Sequence, residues 1–354
     1  MSIKKIASMV GVSPATVSRV LNNPNYRCSS PEIRDAIWEA AIELNYAPNE
    51  AARNLKMGLS NKEESPKYIN ILMTRTDANQ LDPFFSELLL VIESEIHKRI
   101  CILSKVWYMP FFSSDSKCEK EDLNRIVDEM YAETENRCDG LIIIGKCNIK
   151  ALRLLKEKYK SVISVNRNPT NYEVDEVICD GHKMAATAVE HLIHLGHRKI
   201  GYVGDCHNET RYNGYIDTLR LHQIPIDTDF IFETTQTEAE GYDVMLQLLQ
   251  SKNPPTGIYC ANDITAIGML KCLNQKKRPY YKPSIISSDD IEEAQNTKPM
   301  LTTVKVPREE MGRFALYMLL DRIRGGHEGV VRTELEGRLI VRSSCSSIET
   351  PSQP

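Results

Sequence analysis

The stretch VGVSPATVSRVLN, residues 10–22, sets Val17, Val20 and Leu21 at i, i+3 and i+4, which gives a helix one apolar face, while Ala15, Ser18, Arg19 and Asn22 gather on another. Small and polar side chains around a single arginine suit contact with a DNA groove. Arg19 can pair bidentately with guanine O6 and N7, Ala15 is small enough to approach a thymine methyl, and Thr16, Ser18 and Asn22 can reach bases or phosphates. Taken as pattern alone, the stretch also suits a plain three-helix bundle whose exposed helix is polar.

Other constellations weaken on inspection. His191, His194 and His197 are spaced by three, as metal ligands on a helix would be, but Gly196 is expected to end the helix before His197. Asp289 and Asp290 carry the groups of a glycosidase dyad, yet adjacent residues at a strand end point to opposite faces. The sequence holds no GxGxxG, no GxxxxGKS or GxxxxGKT loop and no GxSxG elbow. Its ten cysteines include no CxxC pair and read as small buried hydrophobes in a reducing compartment. With no converging nucleophile, base and oxyanion set, the expectation is a protein that is not an enzyme and needs neither cofactor nor metal.

The elements that must position these residues follow from periodicity. Residues 1–60 read as three short helices, about Ile3 to Val10, Pro14 to Leu21 and Pro31 to Leu44, with Gly11 in the first turn. Ser13 before Pro14 and Ser30 before Pro31 can each cap a helix whose first position takes the proline. Further on, β-branched apolar runs at 69–74, 141–145, 161–165, 199–204, 257–261, 284–288 and 301–306 alternate with amphipathic segments near 84–97, 119–133, 149–158, 182–195, 210–222, 238–251, 263–274 and 308–323. Such alternation predicts a doubly wound α/β core, long enough for two lobes, with ligands beyond the carboxyl ends of the strands. The expected divisions are a helical head over 1–59 with a hinge helix at 48–57, a linker over 60–67, a bilobal core over 68–342 and a disordered tail over 343–354.

A chain of 354 residues that is 42% hydrophobic and 26% charged, with no apolar run long enough to span a bilayer and no signal-peptide core at its start, is expected in the cytoplasm without a membrane partner. Its net charge of -4 argues against a nucleic-acid partner until it is split by region. Residues 1–60 carry seven Lys and Arg against five Asp and Glu, a mildly basic head on an acidic body.

The segment KKIASMVGVSPATVSRVLN, followed by SSPEIRDAIWEAAIELNYAPNEAARNLK, resembles the DNA-binding head of the lactose/galactose repressor (LacI/GalR) family of bacterial transcription regulators and ends in that family's NYxPN and AxxL hinge signature. The resemblance implies a helix-turn-helix whose DNA-contacting residues are Ser13, Pro14, Ala15, Thr16, Ser18, Arg19, Asn22, Ser30, Asn49, Ala52, Leu55 and Lys56. It also implies that PNEAARNLK, residues 48–56, too short to be a stable helix alone, folds when two copies pack on DNA and Leu55 wedges into a minor-groove step. From its residues alone, the segment also suits a flexible tether.

Residues 68–342 resemble the family's effector core, similar in architecture to periplasmic sugar-binding proteins, through DPFFSEL at 82–88, RYNGY at 211–215, ANDITAIG at 261–268, SSDD at 287–290 and LTTVKVPREEMG at 301–312, in family order. Three strand crossings near 176–179, 303–307 and 327–332 would join the lobes. By the same resemblance Arg211, Asn262 and Asp289 take the cleft positions that grip a sugar's hydroxyls, Asn166 stands where several members have aspartate, and Phe84 or Phe85 supplies a stacking surface. An internal salt bridge is the other reading of Arg211 and Asp289, and core packing that of the phenylalanines. The protein implied is a homodimeric, allosteric transcription regulator, a repressor of sugar-utilisation genes that binds a pseudo-palindromic double-stranded DNA operator and a small-molecule effector, a sugar. A sugar-active enzyme with an appended helix-turn-helix is the alternative.

Overall fold

The computed structural model describes residues 3–22, 30–44, 65–75, 82–135, 137–207, 209–276 and 280–348. The chain divides into two compact units, Met1–Ser65 and Pro66–Pro354.

In the first unit α1 (Ile3–Val10), α2 (Pro14–Asn22) and α3 (Pro31–Glu43) close around Ile6, Ala7, Val17, Val20, Leu21, Ile37, Ala40 and Ala41, all buried. The apolar spacing in α2 therefore does what its period requires. Both expected caps form: the Thr16 amide donates to Ser13 Oγ at 3.1 Å and the Ile33 amide to Ser30 Oγ at 3.3 Å. Gly11, at φ +73, makes the turn between α1 and α2.

The second unit is a pair of α/β lobes. The first strings together β1 (Lys67–Met73), α4 (Pro83–His97), β2 (Cys101–Tyr108), α5 (Asp115–Cys118), α6 (Leu123–Ala132), β3 (Gly140–Ile144), α7 (Ile149–Lys158), β4 (Val162–Asn166) and β5 (Asp175–Ile178). The chain then crosses into α8 (Gly181–His194), β6 (Ile200–Gly204), α9 (Thr210–Leu221), β7 (Ile231–Glu233), α10 (Glu238–Leu248), β8 (Gly257–Cys260), α11 (Asp263–Lys276), β9 (Ser284–Asp289), α12 (Glu292–Asn296) and β10 (Thr302–Lys305). It returns through α13 (Arg308–Ile323), which packs on β3, β4 and β5, and adds β11 (Arg332–Glu334) to the first sheet and β12 (Arg338–Ile340) to the second. The two sheets run β11-β5-β4-β3-β1-β2, wholly parallel, and β12-β10-β9-β8-β6-β7, parallel except for β12. Parallel strands covered on both faces must be apolar throughout, and β3, β4, β6 and β8 are buried at every position.

Three expectations are corrected. The third crossing lies between Glu334 and Arg338 rather than at 327–332, because the buried Asp175 carboxylate holds that segment to the first sheet, accepting from the Val331 amide at 2.8 Å and from His327 at 2.9 Å. No strand is expected between 97 and 119, yet β2 lies there, an edge strand whose half-exposed residues hide its periodicity. The tail expected to be unstructured from residue 343 is tied to the second lobe as far as residue 348: Ser344 is buried and its hydroxyl donates to the Ile285 carbonyl at 2.6 Å, and the Ile348 amide donates to the Leu195 carbonyl at 2.9 Å. Satisfied backbone and side-chain groups hold this segment without any apolar run that a sequence pattern would register. Residues 349–354 lie outside the described residues.

Helices α10 and α11 touch backbone to backbone. A Cβ on Gly241 would lie 2.1 Å from the Thr265 carbonyl oxygen, and one on Gly268 only 2.0 Å from that of Glu238. Replacing Gly241 with alanine is expected to destabilise the core by about 3 kcal/mol through overpacking, read from the chemical-denaturation midpoint. A change under about 0.5 kcal/mol would show that the helices separate freely.

Candidate functional site

In the head, Ser13, Pro14, Ala15 and Arg19 are exposed and Thr16 and Ser18 half-exposed, so the side of α2 opposite its buried valines faces outward. Asn22 ends the same helix. Ser30 is half-buried as the cap of α3. The hinge residues Asn49, Ala52, Leu55 and Lys56 lie outside the described residues.

The core residues singled out from sequence converge beyond the carboxyl ends of the strands, where the two lobes face each other. Asp82 accepts from the Phe84 amide at 2.9 Å and starts α4, which buries Phe84 and Phe85 edge to face with centroids 5.0 Å apart. The Arg167 guanidinium, directly after β4, lies over both rings, 4.6 Å from the Phe84 centroid and 5.3 Å from that of Phe85. The same guanidinium donates across to Asp289, at the end of β9 in the other lobe. Asn166 turns away from this contact: its Oδ1 accepts from the Arg167 amide at 2.7 Å and its Nδ2 donates to the Asn168 carbonyl at 3.1 Å. Asn166 thus sets the Arg167 backbone, and Arg167 does the reaching.

Arg211 is fully buried and pairs within its own lobe with Glu209, while also donating to the Ala261 carbonyl and, at 3.1 Å, to Gln236 Oε1. It does not pair with Asp289, so the salt bridge foreseen for these two residues takes other partners. Asn262 links the strand ends, donating to the Gln236 carbonyl at 3.1 Å and accepting from Thr265 Oγ1 at 2.6 Å. Two more contacts cross between lobes: Arg75 Nη2 meets Glu209 Oε1 at 3.2 Å, and Asn168 Oδ1 accepts from the Thr210 amide and hydroxyl, each at 3.1 Å.

Arg75, Arg167, Glu209 and Gln236 were missed in the sequence. Arg75 and Arg167 follow β1 and β4 within two residues, which is a usable signal; nothing in the pattern marks Gln236.

Burial governs the charges. It would raise the Glu209 carboxyl, but Arg211, Arg75 and Arg167 outweigh it and hold the group at about 2. Asp289 stays raised by burial in spite of Arg167 and Arg211. Burial, then the nearby Asp289, pushes Asp263 up to about 7, although Ser287, Thr303 and the Ile291 amide all donate to it.

The tempting side features separate. Asp289 faces Arg167 whereas Asp290 pairs with Arg342 at 2.6 Å, so the two carboxylates do not converge. Gly196, at φ +92, ends α8 before His197, which bonds Thr256 and Ser284 at 3.0 and 2.9 Å. No cluster of three or more metal-ligating side chains occurs among the described residues.

Both halves of this arrangement have counterparts. Residues 2–49 match the family described as bacterial regulatory proteins, lacI family, and residues 189–345 match the periplasmic binding protein-like domain. A PurR transcriptional repressor of Haemophilus influenzae is 29% identical over 359 residues, covering 98% of this chain and 99% of that protein. Over nearly its whole length the chain resembles LacI/GalR-family regulators. A LacI-family regulator from Enterococcus faecium, solved with bound ribose, aligns with 80% of the chain and all of its own at 26% identity and a TM-score of 0.65. The lac repressor dimer bound to operator and an anti-inducer shares the fold over 97% of this chain and 98% of its own, at 22% identity and a TM-score of 0.64. The protein is therefore a DNA-binding transcription regulator modulated by a small molecule, with a helix-turn-helix head and a two-lobed core of the periplasmic-binding type.

In this regulator Glu209→Gln leaves the buried Arg211 uncompensated and is expected to destabilise the core by roughly 3 kcal/mol at pH 7. A depressed carboxyl stabilises above its unfolded pKa, near 4.5, and loses that contribution as pH falls toward about 2. The gap between wild type and variant in urea melts is thus expected to close below pH 4.5. A gap that does not change with pH would contradict the pairing.

Proposed function

We propose that the protein is a homodimeric repressor of sugar-utilisation genes whose operator affinity changes when a sugar binds between the core lobes. The observation that carries this is the convergence of Phe84, Arg167, Arg211, Gln236, Asn262 and Asp289 from strand ends of both lobes: planar bidentate groups beside an aromatic face, which is what a ring with vicinal hydroxyls needs. The ribose held by the Enterococcus faecium regulator supports the same class of ligand.

On the head, we read the outward face of α2 as the groove-reading surface, with Arg19 on guanine, Ala15 against a thymine methyl and Thr16, Ser18 and Asn22 on bases or phosphates. Ser13, Pro14 and Ser30 place helix N-termini against phosphates. To Asn49, Ala52, Leu55 and Lys56, which lie outside the described residues, we assign contact with the minor groove.

A second copy is expected against the first lobe, where Leu90 on α4 and Ile100 beside the edge strand β2 are each more than 60% exposed and Tyr317 on α13 is 46% exposed. A two-fold dimer presents two heads to a symmetric operator. We propose that the lobes bind their ligand without transforming it, a reading supported by Asp289 and Asp290 each pairing with its own arginine. No described helix is long and apolar enough to cross a membrane, and the cytoplasm is the proposed compartment.

Fluorescence anisotropy of the full chain against a symmetric duplex and its scrambled counterpart tests this. Preference for the symmetric duplex, falling steeply with salt, is expected, and Leu55→Ala should weaken DNA binding while leaving calorimetric sugar binding intact. Equal binding to both duplexes, or equal losses at both sites in the variant, would contradict it.

A further inference from the structure

The groups that bridge the lobes are not equivalent once the lobes part. Glu209 keeps Arg211, which is in its own lobe and bonded to it through two guanidinium nitrogens. Asp263 keeps Ser287, Thr303 and the Ile291 amide. Arg308 keeps Glu87 at 2.9 Å. By contrast Arg75 and Arg167 have, among the described residues, no carboxylate partner within the first lobe: their acids are Glu209 and Asp289, both across the cleft. Opening, or entry of a ligand between them, therefore releases both guanidiniums from their carboxylates.

The hydrogen-bond inventory leans the same way. Gln236, only 7% exposed, spends its Oε1 on Arg211, and its Nε2 is buried with no acceptor in reach. A buried donor without a partner is destabilising, so a molecule that seats here gains by bringing acceptors. Two guanidiniums and an amide donor set against one carboxylate favour a ligand richer in acceptors than a neutral sugar, in which each hydroxyl both donates and accepts.

We propose that the effector is a sugar monoacid, a uronate or aldonate, whose carboxylate is held by Arg167 and Arg75 while its hydroxyls accept from Gln236 Nε2 and donate to Asp289. This deepens the sugar-binding reading of the cleft and rests on it. The carboxylate of such a ligand replaces, for Arg75 and Arg167, the acids they lose across the cleft, which a neutral sugar cannot do. Arg167 also keeps its place over Phe84 in doing this, so the ring and the charge are read by one side chain.

The test is titration calorimetry on the full-length protein with D-galacturonate, D-glucuronate and D-gluconate, each beside D-galactose or D-glucose, and with glucose 6-phosphate. At least one monoacid is expected to bind about 10-fold or more tightly than its neutral counterpart and than the phosphate ester. Arg167→Gln should remove that preference. Arg75→Gln, on the more exposed of the two guanidiniums, should reduce it in a protein with little altered melting, which covers the case of Arg167→Gln failing to fold. A neutral sugar that binds more tightly than its acid, or a preference untouched in Arg75→Gln and Arg167→Gln alike, overturns the proposal and leaves the cleft as a sugar site. Tightest binding of glucose 6-phosphate overturns it in favour of a phosphorylated ligand. If no sugar of any class binds or shifts operator affinity, the sugar reading falls and takes the proposal with it.

Discussion

Ionic groups buried between two lobes constrain everything else in the core. Arg211 and Glu209 are removed from water together, and each survives there only because the other, the Ala261 carbonyl, Gln236 and Arg75 complete its shell. Such a network contributes little net stability compared with apolar packing, but it permits few arrangements: a lobe that shifts by a bond length leaves a charge without a partner. The pairs Arg75–Glu209 and Arg167–Asp289 extend it across the cleft. Charge matching thus helps to fix how the lobes meet.

The fold delivers these groups because parallel strands all end on the same side. Arg75 follows β1, Arg167 follows β4, Gln236 follows β7, Asn262 follows β8 and Asp289 ends β9. Three crossings connect the lobes, after β5, after β10 and between β11 and β12, so that separation of the strand ends reduces to a rotation about three short segments. Close packing of α10 on α11 through Gly241 and Gly268 keeps the second lobe rigid while this happens. A coupling of about 1 to 3 kcal/mol between cleft and DNA would change operator affinity by roughly 5- to 150-fold.

Much of this was legible in the amino-acid order. The buried strands read directly because a strand covered on both faces is mostly a continuous apolar run, and α7 and α13 fall within the bounds that periodicity sets. What escaped notice was held by other forces. The short strands β5, β7, β11 and β12 lack the apolar run, and β2 lies at an edge where alternation is weak. Residues 343–348 are fixed by hydrogen bonds to Met300, Ile285 and Leu195, which leave no periodic trace. In the cleft, chemistry and strand-end position pointed to Arg211, Asn262 and Asp289, but a charge's partner depends on which loops face each other. Only the folded chain reveals that Arg167, one residue beyond the expected Asn166, is the group that crosses to Asp289.

If the ion pairs between lobes set the state that the DNA-binding head senses, removing them must be felt at the operator, although neither arginine belongs to the head. The most direct measurement is the operator dissociation constant of the Arg75→Gln/Arg167→Gln double variant without ligand, at fixed salt, beside wild type of the same oligomeric state. A change of about fivefold or more is predicted. Equal operator affinity, in a variant that has lost the effector's influence on DNA binding, would contradict the claim that these pairs hold the switch.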